Sequence, residues 1–99
     1  MHSKEIRTID DLKQFLKEFF QDTKVEIYLF GSRARGDHVP YSDIDIGFVS
    51  KDAKDISGRL TALREILEES HLPYKVDLVE IAEDSQLLDV VRKEGIRWV

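Results

Sequence analysis

Residues 29–49 read "LFGSRARGDHVPYSDIDIGFV", two strand-like runs parted by glycine, arginine and proline. Leu29 and Phe30 finish "KVEIYLF", which begins at Lys24 and is rich in the Val, Ile and Tyr that strands favour. Gly31 ends that run, and "HVPYS", inside Asp37 to Ser42, has the proline and serine of a loop. The next run, "DIDIGFV", also reads as a strand, yet it contains Asp43 and Asp45. Side chains alternate along a strand, so the two aspartates share one face while Ile44 and Ile46 share the other. With the isoleucines buried under helices, both carboxylates are pushed onto an open face. Two readings fit such a pair: solvated residues on an exposed sheet, or an acidic site whose mutual repulsion calls for a cation.

Working outward, "TIDDLKQFLKEFFQ" places Ile9, Leu12, Phe15, Leu16, Phe19 and Phe20 at helical spacing, with Thr8 or Asp10 as its cap. Asp55 to Ser70 is a second amphipathic helix carrying Leu60, Leu63, Ile66 and Leu67, stopped before Pro73. "YKVDLVEI" is a third strand, "SQLLDVVRKEG" a helix closed by Gly95, and "IRWV" a short final strand. This order predicts an α/β fold over residues 1–99 as one domain, with helices on one face of a small sheet. In the third strand Asp77 lies between Val76 and Leu78 and points away from their apolar face. If that strand neighbours "DIDIGFV", three carboxylates converge. Glu80 has the opposite strand parity and is the weaker candidate.

Across 99 residues, 15 Lys and Arg stand against 20 Asp and Glu, an acidic balance that argues against coating nucleic acid by neutralising phosphates. No cysteine is present, which excludes disulfides and thiolate zinc sites. The N-terminal "MHSKEIRTIDDLK" has no apolar leader, and no run approaches the length of a membrane span, so a cytoplasmic setting is expected. Oxygen-only carboxylate clusters suit hard divalent ions, and Mg²⁺ so held keeps positions open for substrate phosphates.

The turn after Phe30 supplies the complementary chemistry. Ser32 is placed to cap the short helical turn "RARG", whose exposed N–H groups can meet phosphate oxygens. Gly31 lets a phosphate approach without a side chain in the way. Arg33 and Arg35 face different directions, one toward phosphate and the other toward the protein; Arg35 is the candidate triphosphate contact, a structural ion pair being its alternative. Phosphate cradle and metal carboxylates together describe a triphosphate site. His38 in the loop, His2, His71 and Trp98 read as ordinary surface or core residues.

Gly31-Ser32, ten residues, then Asp43-Ile44-Asp45 reproduces the G-S-x10-D-x-D signature, so the chain resembles the DNA polymerase β-like nucleotidyltransferase superfamily. With "YKVDLVEI" and the run to "VRKEGIRWV", it looks most like the minimal nucleotidyltransferases, often encoded beside a HEPN-domain toxin. The resemblance implies a small mixed sheet with a polymerase β palm-like core. It implies Asp43, Asp45 and Asp77 as ligands of two Mg²⁺ ions, and Gly31, Ser32 and Arg35 as nucleotide contacts. It also implies transfer of AMP from ATP to a tyrosine hydroxyl of a HEPN RNase toxin, which neutralises that toxin; the acidic balance and the lack of a long apolar run add the expectation of no nucleic acid or membrane as partner. Two alternatives stand beside this: an antitoxin that acts by binding alone, and a transferase acting on a small molecule or an RNA end.

Overall fold

The computed structural model describes residues 5–36, 42–50 and 53–99, of which 53–55 by backbone alone. His2, His38 and most of the expected loop from Asp37 to Ser42 lie outside the described residues. Eight elements follow in order: α1 (Ile9–Phe19), β1 (Glu26–Phe30), α2 (Ser32–Arg35), β2 (Ile44–Val49), α3 (Ala53–Glu69), β3 (Val76–Ile81), α4 (Gln86–Glu94) and β4 (Ile96–Arg97).

The four strands form one mixed sheet in the order β3-β2-β1-β4. β1 runs antiparallel to both β2 and β4, while β2 and β3 are parallel and joined by the α3 crossover. Alternation then sorts the side chains. Ile27 and Leu29 of β1 and Ile44, Ile46 and Phe48 of β2 are buried on one face, under Leu12, Phe15 and Leu16 of α1 and Ile56, Leu60 and Leu63 of α3. Val76 and Leu78 of β3 pack against the same cluster. Each large apolar side chain buried this way contributes about 1.5–3 kcal/mol, and this layer holds most of them. Trp98 is a core residue, 7% exposed.

Polar contacts fix both ends of α1 and tie α3 to it. Thr8, not Asp10, caps α1, in a reciprocal arrangement: Thr8 Oγ1 accepts from the Asp11 N–H, and the Asp11 carboxylate accepts from the Thr8 N–H. Arg59 of α3 donates Nη1 to the Phe19 carbonyl at 2.8 Å and Nη2 to Asp22 at 2.7 Å, tying α3 to the C-terminal end of α1.

α1 and α3 share one face as expected, but α4 does not join them. Its Leu88 and Val91 pack with Tyr28, Val49 and Ile81, the apolar residues of opposite strand parity, with Phe30 and Val79 at the margin. A second, smaller core therefore sits on the face that carries Asp45. α4 is anchored there by Glu26, which accepts from the Tyr28 hydroxyl at 2.8 Å and from Arg92 of α4 at 3.1 Å, with Arg97 of β4 at 3.5 Å. Among the described residues, no helix is long and apolar enough to cross a membrane.

The Tyr28 hydroxyl, then Arg92 and Arg97, hold the Glu26 carboxyl below its ordinary value of 4.5. A depressed carboxyl pKa contributes stability above the unfolded value and loses it as pH falls through the folded one. Glu26→Gln should therefore lower the melting temperature at neutral pH, with the gap to the parent closing as the solution is acidified below pH 4.5. Melting curves across that range test this; a gap that stays constant to about pH 3 contradicts it.

Candidate active site

The site starts where β1 ends. Gly31 takes the position before α2 with φ 77° and ψ −155°, a conformation that side-chain-bearing residues rarely adopt. Its carbonyl accepts from the N–H groups of Ala34 and Arg35, each at 3.2 Å, closing a single helical turn whose Ala34 packs onto the main core. Gly31, rather than Ser32, thus occupies the cap position, and no side chain caps the turn; Ser32 is its first helical residue. The strand ends at Phe30 as expected, and the helical turn begins one residue earlier than a serine cap requires, at Ser32 itself.

A second constraint acts at Gly31. A Cβ there would sit on Oδ2 of Asp45 and 3.3 Å from its Cγ, so the Asp45 carboxylate occupies the space that the missing side chain leaves. Gly31 and Asp45 are therefore parts of one packing arrangement, with 13 residues of chain between them.

Asp45 stands opposite Phe30 on one side and opposite Asp77 on the other, in the registers of the β1–β2 and β2–β3 ladders. Both aspartates have the parity of Val49 and Val79 and so lie on the face away from α1 and α3. Asp43 immediately precedes β2 and is exposed. Asp45 is half-buried, and that burial, followed by the charges of Asp77 and Asp43, pushes its carboxyl above the usual range; Arg35 offsets part of the shift. Lys75 lies 3.9 Å from Asp77, but the lysine is 73% exposed and such a pair contributes little. Glu80 stands opposite Phe48 on the other face and is exposed.

The two arginines of α2 separate. Arg35 is the cation felt by Asp45. Arg33 turns to the protein, donating Nε and Nη2 to the Ser42 carbonyl at 3.1 and 2.9 Å, with its guanidinium 4.5 Å above the Tyr74 ring.

A groove of about 710 Å³ opens over this part of the sheet, lined among others by Phe30, Asp45, Arg64, Tyr74, Lys75 and Asp77. Tyr74, Lys75 and Arg64 were not singled out by the sequence; they carry no motif and enter the site only because β3 lies at the edge of the sheet. Among the described residues, no three His, Cys, Asp or Glu side chains are gathered closely enough to form a ready metal cage. The donor set still fits a hard divalent cation. It is all oxygen, and its carboxylates repel one another with only partial compensation from Arg35.

The mixed sheet thus carries a glycine turn packed against paired strand carboxylates beside a groove. The chain belongs to the nucleotidyltransferase domain family, whose sequence model matches residues 9–99. It is 35% identical over 83 residues to a Haemophilus influenzae protein named "Probable protein adenylyltransferase MntA", covering 83% of this chain and 70% of that one. A Methanocaldococcus jannaschii protein, provisionally named a protein adenylyltransferase, is 36% identical over 74 residues, and the chain spans 50% of that relative's length. Among solved structures, the crystal structure of a toxin–antitoxin with AMP-PNP superposes with a TM-score of 0.55 at 25% identity, over 88% of this chain and 72% of that one. The protein is a nucleotidyltransferase.

The contact between residue 31 and Asp45 gives a quantitative expectation. Gly31→Ala should destabilise the metal-free protein by about 1 kcal/mol or more from the positive φ alone, with the carboxylate clash added. In an Asp45→Ala background the clash is gone, so the same substitution should cost less, by on the order of 0.5–3 kcal/mol. Urea unfolding of the four proteins measures this; strictly additive effects would show that residue 31 and Asp45 do not touch.

Proposed function

We propose that this nucleotidyltransferase is the antitoxin of a toxin–antitoxin pair, and that it transfers AMP from ATP to a tyrosine hydroxyl of a cognate HEPN RNase toxin. The observation that carries the reading is the placement of Asp45 against Asp77 across parallel strands, with the Gly31 turn packed beside them on an open groove. The name of the Haemophilus influenzae relative supports a protein as acceptor. The toxin–antitoxin structure with AMP-PNP, an ATP analogue, supports both the nucleotide and the kind of partner.

In this reading Asp43, Asp45 and Asp77 would hold Mg²⁺, which when bound supplies charge neutralisation for the triphosphate and lowers the pKa of the acceptor hydroxyl. The turn at Gly31 and Ser32 faces the terminal phosphates with backbone N–H groups and a hydroxyl, and Arg35 adds a positive charge on the same side. The groove beside Asp77 receives the acceptor segment and orients its hydroxyl for in-line approach to the α-phosphorus. The new O–P bond forms as the bond from the α-phosphorus to the bridging oxygen breaks, and pyrophosphate leaves. The chain's own residues contribute positioning and electrostatics. A cytoplasmic setting completes the reading.

Asp45→Asn tests the assignment. The raised carboxyl pKa of Asp45 means that its ionised form costs stability at neutral pH, and that the cost fades as pH falls through the raised value. The metal-free variant should therefore melt no lower than the parent at neutral pH, and any gain should shrink on acidification. AMP transfer to the protein encoded in the neighbouring reading frame, followed by mass spectrometry with ATP and Mg²⁺, should fall by orders of magnitude. A folded Asp45→Asn protein that transfers AMP at the parental rate would overturn the site. One that transfers nothing yet still protects cells from the partner would establish an antitoxin acting by binding alone.

A further inference from the structure

We infer that Arg33 is a positioning residue for nucleotidyl transfer, locking the two strand ends that carry Asp43, Asp45 and Asp77 into one register. The inference rests on the transferase reading above. Its basis is a closed ring of contacts around the carboxylates. Arg33 Nε and Nη2 both donate to the Ser42 carbonyl, at 3.1 and 2.9 Å, immediately before Asp43. The same guanidinium lies 4.5 Å over the ring of Tyr74, three residues before Asp77. The ring closes through the Ile44 N–H, which donates to the Lys75 carbonyl at 2.9 Å. Asp43 falls between the contact points at Ser42 and Ile44, and Asp77 follows those at Tyr74 and Lys75, just ahead of β3.

The chemistry of the side chain matters more than its charge. A planar guanidinium can offer two parallel donors to one carbonyl while laying its face on an aromatic ring, and an ammonium cannot do both. Arg33 also sits two residues from Gly31, so it couples the glycine turn to the carboxylates it faces. With Nε and Nη2 on a backbone oxygen and its face on Tyr74, Arg33 differs from Arg35, whose charge reaches Asp45. Displacing reacting groups by about 1 Å lowers rates by as much as a hundredfold, which sets the expected scale of the effect.

The test uses the full chain with Mg²⁺: ATP and the protein encoded in the neighbouring reading frame as acceptor for the rate, and AMP-PNP without that acceptor as the binding probe. Arg33→Lys keeps the charge and loses the fork. It should lower kcat roughly 10- to 100-fold while leaving AMP-PNP affinity within about threefold, because the triphosphate is held elsewhere. In the nucleotide-free protein, hydrogen exchange at the Ile44 amide should accelerate, a readout independent of transfer. Tyr74→Leu removes the ring and keeps the carbonyl bonds, and should shift kcat and Ile44 exchange in the same direction by less. Parental kcat and parental Ile44 exchange in Arg33→Lys overturn the inference, as does a loss of AMP-PNP affinity that matches the loss of rate, which would make Arg33 a phosphate ligand. If the parent itself transfers no AMP, the functional reading fails instead; accelerated Ile44 exchange in Arg33→Lys would then still uphold the register lock.

Discussion

The parallel pairing of β2 with β3 is the constraint from which the rest of the site follows. In that register Ile44 faces Val76 and Ile46 faces Leu78 on the helix side, while Asp45 faces Asp77 on the other. The apolar pairs are held by α1 and α3, so a slip of one residue would bury the aspartates and expose the isoleucines. Hydrophobic burial on one face therefore holds like charges together on the other, where their repulsion is insufficient to break the sheet. The result is a preformed cluster of like charge, set by packing.

Around that pair the smaller elements act as supports. The φ of Gly31 turns the chain into α2 and its missing side chain leaves the space that Asp45 fills. The single turn of α2 places two arginines in opposite duties, one against the backbone before Asp43 and one near Asp45. α4 and β4 close the far part of the same face through Glu26, leaving the β3 edge as the side on which the groove opens.

Much of this was legible from residue order, because alternation and helical spacing are local. The strands around Ile44 and Val76 and the helices of Leu12 and Leu60 follow from neighbouring positions, whereas residue order left Thr8 and Asp10 both open as the cap that Thr8 provides. The convergence of Asp45 and Asp77 was legible only conditionally, since strand adjacency is a property of the sheet. The side taken by α4 was not legible from its own stripe: Leu88 and Val91 mark a helix, and the choice of face belongs to Tyr28, Val49 and Ile81, which are spread over three strands. The packing of Gly31 on Asp45, and the choice of Arg33 over Arg35 as the structural arginine, depend on distances across the turn that no spacing rule contains. Tyr74 and Lys75 entered the site because β3 is an edge strand, which residue order does not state.

The family establishes nucleotidyl transfer, and a groove opens beside Asp77. In the proposed reaction the bond at the α-phosphorus of ATP breaks and the acceptor retains the nucleotide. Parallel reactions with ATP labelled at the α- or at the γ-phosphate, run with Mg²⁺ and the protein encoded in the neighbouring reading frame, measure this directly. α-Label is expected on the acceptor and γ-label in pyrophosphate. Label on the acceptor from γ-labelled ATP, or none from either, would contradict it.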